Sequence, residues 1–299
     1  MRQAVLTCLA GAALLAGTFF PAAEAKSADA KSQSLTVVAA ESVYGNIVSQ
    51  IGGSQVSVTS ILSDPNADPH LYEPGTANAL AVAKAKVVIQ NGLGYDAFMS
   101  RLESASPSGH RDVVTIADVL GISGKNANPH LWYDVPALNR IVAAIAGGLE
   151  QADPSNAARY RQGLARFEAS LTPLRNEVAA LKKSFAGELV AYTEPVPGYL
   201  LAAAGIRNVA PDSFTRAIED GSEPSPAAVA QMTGLAGGHK IKVLLYNSQT
   251  VSPITSRIRS AAQKAGIPIV GVTETLPPGQ TFQQWQLGQA KALYAALAR

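Results

Sequence analysis

The chain has 299 residues, 47% of them hydrophobic and 15% charged, with 24 basic and 22 acidic side chains. This near balance of charge excludes a general electrostatic attraction to nucleic acid or to anionic membranes as the basis of function. The composition is that of an ordinary globular protein and not of a disordered chain.

The first residues have the pattern of a secretory signal. A positive charge precedes an apolar run, and Ala23 and Ala25 supply small residues around a cleavage point. The single cysteine, Cys8, lies inside this run with the wrong neighbours for lipid attachment, so the mature protein would contain no disulfide. We therefore expect a signal peptide at residues 1–25, a loose tail at residues 26–34, and a freely diffusing periplasmic protein.

Apolar strands alternate with helical patterns along the rest of the chain, which is typical of βα units around parallel sheets. The predicted strands form an early and a late group, at residues 35–39, 56–61, 87–90 and 113–116, then at 188–192, 243–246 and 267–272. Ser42 is positioned to cap the first helix. The pattern predicts two α/β lobes, at residues 35–150 and 185–299, each a mainly parallel sheet flanked by helices.

One long helical pattern lies between the two groups, at residues 151–184. Asp153 and Pro154 are typical of a helix start, and apolar side chains then recur at steps of four and three, which predicts one buried face. Pro173 should bend this helix. A dimeric coiled coil would have the same stripe, but the flanking charge pairs that coiled coils use are few, so we favour a monomer whose single long helix joins both lobes.

Two of the four histidines stand in similar contexts. His70 lies in the segment DPHLYEP (residues 68–74), and His130 lies in NPHLWYD (residues 128–134). The proline before each histidine restricts the backbone, so each imidazole can be held in one direction. A lone loop histidine is usually a solvated or satisfied side chain, but the repeated context favours a shared function.

Other polar residues give weaker signals. His110 and His239 lie in polar, glycine-bearing stretches and are expected at the surface. Asn91 precedes a glycine at a strand end, which favours a turn, with support of a nearby site as the alternative.

Two carboxylates follow strands of the second group. Glu194 comes just after residues 188–192, and Glu274 just after residues 267–272. Ligands of open α/β sheets bind beyond the carboxyl ends of the strands. Either acid alone could be a helix cap or a solvated group, but two imidazoles and two carboxylates together suit a divalent transition metal.

These segments resemble the ligand motifs of the zinc and manganese receptor family of ABC importers, in which one long helix joins two lobes. The resemblance covers essentially the whole mature chain, and four segments match the family's ligand motifs in order: residues 68–74, 128–132, 194–200 and 272–275. It implies one metal ion in the cleft between the lobes, bound by four side chains: His70, His130, Glu194 and Glu274. Better-known members carry aspartate at the position of Glu274.

The resemblance also implies that the protein delivers its ion to the membrane subunits of an ABC permease. Manganese is favoured over zinc, with ferrous iron as a further possibility. Glutamate at the third ligand position and the lack of a histidine-rich loop resemble manganese-importing members, and two carboxylates could each bind through two oxygens. Zinc stays open because it outcompetes manganese at simple sites.

Two other classes of protein are alternatives. A secreted metallohydrolase would need an open zinc position, and the sequence has no His-Glu-x-x-His pair, Gly-x-Ser-x-Gly elbow or phosphate-binding glycine loop. An adhesin-like surface protein is a label that family members have carried, but the sequence has no repeats or low-complexity stalks. We therefore expect a receptor and not an enzyme.

Overall fold

The computed structural model describes residues 1, 3–8, 34–66 and 68–299. The chain divides into two units, residues 1–32 and 33–299, and the helices and strands described below belong to the second. The predicted signal peptide and tail lie largely outside the described residues. Within the described ranges, no helix has the length and apolar character that are needed to cross a bilayer.

The strands form two four-stranded sheets in which every pair of neighbours is parallel. The first sheet has the order β2-β1-β3-β4 and contains β1 (Leu35–Glu41), β2 (Val56–Leu62), β3 (Val87–Gln90) and β4 (Asp112–Thr115). The second has the order β6-β5-β7-β8 and contains β5 (Leu189–Tyr192), β6 (Arg207–Asn208), β7 (Val243–Asn247) and β8 (Ile269–Val272). The predicted architecture of two parallel-sheet lobes is confirmed.

Twelve α-helices flank these sheets within the described residues: α1 (Ser42–Gly52), α2 (Thr76–Lys84), α3 (Ala97–Ala105), α4 (Ile116–Leu120), α5 (Leu138–Ala152), α6 (Ala157–Ser170), α7 (Thr172–Phe185), α8 (Gly198–Ala203), α9 (Asp212–Glu219), α10 (Pro226–Gly237), α11 (Pro253–Lys264) and α12 (Phe282–Leu297). Short 3-10 turns lie at Gly53–Gln55, Pro69–Leu71, Leu131–Tyr133, Val135–Ala137 and Pro154–Asn156. The two histidine motifs therefore overlap 3-10 turns, at Pro69–Leu71 between β2 and α2 and at Leu131–Tyr133 between α4 and α5.

The residue at the start of α1 differs from the prediction. Glu41 occupies the N-cap position, and it makes no side-chain capping hydrogen bond. The Ser42 hydroxyl instead accepts a hydrogen bond from the backbone N–H of Leu276, at 3.1 Å, in the second lobe. Ser42 therefore contributes to the contact between the lobes and not to the helix cap.

The linking segment consists of two successive helices, α6 and α7, with only Leu171 between them. Pro173 stands in the first turn of α7, where its missing N–H is tolerated because that amide would have no partner inside the helix. In place of the predicted bend at Pro173, the helix is therefore interrupted for one residue, at Leu171. A 3-10 turn at Pro154–Asn156 precedes α6.

The apolar stripe of the linking segment is buried against both lobes. Helix α6 packs on α1 and α5 of the first lobe, and α7 packs on α12 of the second. Six of its side chains are buried: Tyr160, Phe167, Leu171, Leu174, Val178 and Leu181. They belong to one hydrophobic cluster that also contains residues of both sheets. A continuous core therefore runs through the linking helices from one lobe to the other.

Candidate metal-binding site

The four side chains that the sequence singled out meet at the carboxyl ends of the two sheets. Nε2 of His70 lies 2.7 Å from Oε1 of Glu194, and Nε2 of His130 lies 3.1 Å from Oε2 of Glu274. Each pair joins a loop of the first lobe to a loop of the second. The structure thus brings together all four predicted residues, and their coordination of a metal stays a prediction.

Local hydrogen bonds fix the two histidine loops. The Asp68 side chain accepts a hydrogen bond from the backbone N–H of His70, at 3.0 Å. Oδ1 of Asn128 accepts one from the backbone N–H of His130, at 3.1 Å, and lies 2.8 Å from its Nδ1. If Nδ1 of His130 carries the proton, Nε2 is left to face the carboxylates, which is the usual arrangement of a metal-binding imidazole.

Asn247, the last residue of β7, joins the two carboxylates. Its Nδ2 donates hydrogen bonds to Oε1 of Glu274, at 2.6 Å, and to Oε2 of Glu194. One oxygen of each carboxylate is therefore held by the amide, and the other faces a histidine. This arrangement favours binding through one oxygen from each carboxylate, and not through the two oxygens that the sequence left open. Sequence analysis missed Asn247, whose only local signal is that of a polar residue at the end of an apolar strand.

Glu219, at the end of α9, is a third carboxylate at the site and was missed by sequence analysis. Ligand atoms of His70, Glu194 and Glu219 all lie within 4.8 Å of one another. Oε2 of Glu219 is 3.9 Å from Nε2 of His130. Its sequence context gives no signal, because a glutamate in the last turn of a helix usually faces solvent.

Electrostatic interactions within the site are strong. Burial lowers the pKa of His70, but the hydrogen bond to Glu194 and the surrounding carboxylates outweigh burial and raise this pKa to about 10. Burial also lowers the pKa of His130, yet the charge of Glu219 and the hydrogen bond to Glu274 raise it overall. Burial and the charges of Glu194 and Glu274 outweigh the opposing charges of His130 and His70 and raise the pKa of Glu219 to about 7.

Glu274 has the opposite shift. Burial opposes its ionisation, but the hydrogen bond from His130 and the charges of both imidazoles hold its pKa below the ordinary value. The Tyr95 hydroxyl also donates a hydrogen bond to Oε2 of Glu274, at 2.8 Å. The site therefore holds a stable carboxylate deep between the lobes, where a cation would be attracted.

Asn91 supports the loop that carries His130. Its Nδ2 donates a hydrogen bond to the backbone carbonyl of Pro129, at 2.8 Å, and its Oδ1 accepts one from the Tyr44 hydroxyl, at 2.6 Å. Gly92 follows with a φ of 86°, so the Asn-Gly turn is also present. Asn91 therefore takes part in a turn and also supports the His130 loop, which were the two roles that the sequence left open.

The remaining histidines lie away from this cluster. His110 and His239 are both exposed, which confirms their expected position at the surface.

Further hydrogen bonds join the two lobes around the four side chains. The Tyr133 hydroxyl donates a hydrogen bond to the backbone carbonyl of Thr273, at 2.6 Å. Nδ2 of Asn128 donates one to the backbone carbonyl of Pro195, at 2.8 Å. A cavity of about 290 Å³ borders His70 and another of about 200 Å³ borders Glu219. The site is therefore enclosed by both lobes, with space on two sides.

Comparison with known proteins gives consistent matches. Residues 37–296 match the family model described as ZnuA, zinc-uptake complex component A, periplasmic. The manganese ABC transporter substrate-binding lipoprotein scaA of Streptococcus gordonii is 27% identical over 238 residues, which are 74% of this chain and 74% of that protein.

Two solved structures have the same fold. The periplasmic zinc-binding protein TroA from Treponema pallidum has a TM-score of 0.76 and 21% identity, with 89% of this chain and 100% of that chain covered. The protein FpvC from P. aeruginosa, solved in complex with Ni²⁺, has a TM-score of 0.74 and 22% identity, with 89% and 97% covered. At these identities the likeness establishes the shared fold.

Proposed function

The chain belongs to the family of periplasmic zinc-uptake component A proteins, and on this premise we propose that it is a periplasmic receptor that binds one divalent transition-metal ion. The ion would be bound by His70, His130, Glu194 and Glu274 and delivered to the membrane subunits of an ABC permease. The observation that carries the proposal is the pair of imidazole–carboxylate contacts, 2.7 and 3.1 Å long, that cross the cleft.

The chemistry of these side chains suits a transported ion. Two neutral imidazoles and two carboxylates are common ligands of borderline divalent metals. Since two ligands come from each lobe, the ion would hold the cleft closed. The protein would act as a receptor and not as an enzyme, because its family is described as an uptake component and the sequence has no His-Glu-x-x-His pair or Gly-x-Ser-x-Gly elbow.

We favour manganese over zinc as the physiological ion, with ferrous iron as a further possibility. Half of the proposed ligands are carboxylate oxygens, which suit manganese better than soft ligands would. The scaA relative is named for manganese, and TroA for zinc. Affinity alone would not decide between the two ions, since zinc binds more tightly at most sites of this kind.

Release of the ion would follow from small movements of the lobes. The hydrophobic core is continuous through the linking helices, which limits a wide hinge opening. We expect the permease to bind both lobes and to separate the ligand pairs slightly.

The test is to measure binding of Mn²⁺, Zn²⁺ and Fe²⁺ to chelator-treated protein by calorimetry, together with the melting temperature. The expected result is one ion per chain. At a free metal concentration of 100 Kd, binding should stabilise the native state by about 2.7 kcal/mol. Mg²⁺, which prefers oxygen ligands and retains its water, serves as the control ion. No binding and no thermal shift with any first-row divalent ion would contradict the proposal.

A further inference from the structure

Glu219 lies in an environment that disfavours a carboxylate without a cation. Its Oε2 is buried and has no hydrogen-bond partner among the residues that the structure describes. Glu219 is also the last residue of α9, where the exposed carbonyl groups of a helix end carry partial negative charge. Glu194 and Glu274 add two further negative groups nearby, which the charges of the protonated His130 and His70 oppose. A positive charge in front of Oε2 would offset all three effects.

The position of Oε2 fits a ligand of the same ion. Ligand atoms about 2.1 Å from one metal lie about 3.0 Å apart when adjacent in an octahedron and about 4.2 Å apart when opposite. Oε2 of Glu219 is 3.9 Å from Nε2 of His130. Ligand atoms of His70 and Glu194 lie within 4.8 Å of those of Glu219. A small shift of the Glu219 side chain would therefore bring its Oε2 into the same coordination shell as the other ligand atoms.

We propose that Glu219 is a fifth protein ligand of the bound ion and favours metals that accept more than four ligands. The inference rests on the proposed function. Asn247 occupies one oxygen each of Glu194 and Glu274, so those two carboxylates supply one oxygen apiece. Glu219 raises the number of protein ligand atoms from four to five, which suits manganese better than zinc.

The cavity beside Glu219 is consistent with a higher coordination number. Of the three carboxylates at the site, Glu219 has the side chain with access to solvent, 15% exposed, while Glu194 and Glu274 are at 0%. It borders a cavity of about 200 Å³ that is also lined by polar groups such as Asn128 and Thr215. A water molecule can reach the ion from this side and supply a sixth ligand.

The experiment compares Mn²⁺ and Zn²⁺ affinity by competition calorimetry for the wild type, Glu219→Gln, Glu219→Asp and the control Glu223→Gln. Glu223 is exposed and lies just beyond α9. We expect Glu219→Gln to weaken Mn²⁺ binding at least tenfold and Zn²⁺ binding much less. Glu219→Asp retains the charge but shortens the side chain, so it should lose Mn²⁺ affinity as well. Glu223→Gln should bind both ions as the wild type does.

Two outcomes would overturn the inference. Wild-type Mn²⁺ affinity in Glu219→Gln would remove Glu219 from the ligands. Wild-type affinity in Glu219→Asp together with weak binding in Glu219→Gln would show that only the charge matters. Failure of the wild type to bind either ion would instead contradict the proposed function. Melting curves in chelator check the fold, and Glu219→Gln should melt no lower than the wild type because it removes a buried carboxylate that lacks a partner.

Discussion

Nε2 of His130 lies 3.1 Å from Oε2 of Glu274, although 144 positions separate the two residues in the chain. Both side chains are fully buried, and they connect the loop between α4 and α5 with the loop after β8. The contact therefore belongs to the proposed metal site and also to the packing between the lobes.

Replacement of the histidines should separate these two contributions. We expect His70→Ala and His130→Ala each to weaken metal binding by at least about a hundredfold, since each removes a ligand. In chelator, His130→Ala should also destabilise the fold by about 3 kcal/mol, because it leaves the buried Glu274 without its charged partner. His70 lies at the edge of the site, where water can replace the imidazole, so His70→Ala should melt close to the wild type. Calorimetry and thermal denaturation measure both effects, and normal metal binding by either variant would refute its role.

Asn247 should tune the affinity without being a ligand. Asn247→Ala removes the amide that orients Glu194 and Glu274, and loss of such a partner typically weakens metal binding about 10- to 100-fold. One ion per chain should still bind. Asn139→Ala, which changes an exposed asparagine of α5, is the matched control and should bind as the wild type does. Unchanged affinity in Asn247→Ala would mean that the carboxylates are oriented without the amide.

The four residues that meet at the proposed site could be predicted from sequence because their signals are local. His70 and His130 are each preceded by proline, and Glu194 and Glu274 each follow an apolar strand. The seven predicted strands are all present, with bounds that differ by up to two residues. The strand Arg207–Asn208 was missed because two residues carry no periodic pattern.

Glu219 and Asn247 could not be found in this way. Their contribution depends on how the carboxyl ends of β5, β7 and β8 converge with the loops of the first lobe, and no local pattern reports that convergence. A glutamate at a helix end and an asparagine at a strand end are both common as solvated groups.

Glu41, the last residue of β1, should make stability depend on pH. Burial raises the pKa of Glu41 well above its ordinary value of 4.5, and the nearby Asp96 raises it further. The Tyr44 and Tyr95 side chains also interact with Glu41. As the pH rises above 4.5, the unfolded chain releases this proton before the folded chain does. Stability from Glu41 is therefore lost as the pH rises towards the raised pKa.

The substitution Glu41→Gln removes this dependence. We compare the melting temperatures of Glu41→Gln and the wild type in the presence of chelator. The variant should gain stability relative to the wild type on going from pH 4 to pH 8, while Glu223→Gln should show no such trend. Thermal denaturation by circular dichroism at both pH values measures the difference. An equal difference at the two pH values would show that Glu41 ionises as it does in the unfolded chain.

The linking helices should restrict the movement of the lobes. Because α6 packs on the first lobe, α7 packs on the second and one core joins them, metal binding should change the overall dimensions very little. Small-angle X-ray scattering of metal-loaded and chelator-treated protein should give the same radius of gyration within error. A clear contraction on metal binding would indicate a wide hinge closure and contradict this account.

The central claim is that one ion binds between the lobes at the two imidazole–carboxylate pairs. Anomalous diffraction from crystals grown with Mn²⁺, measured on both sides of the manganese absorption edge, tests it most directly. We predict one strong anomalous peak within about 2.3 Å of Nε2 of both His70 and His130, with carboxylate oxygens of Glu194 and Glu274 in the same shell. A peak elsewhere on the protein, or no peak between these side chains, would contradict the claim.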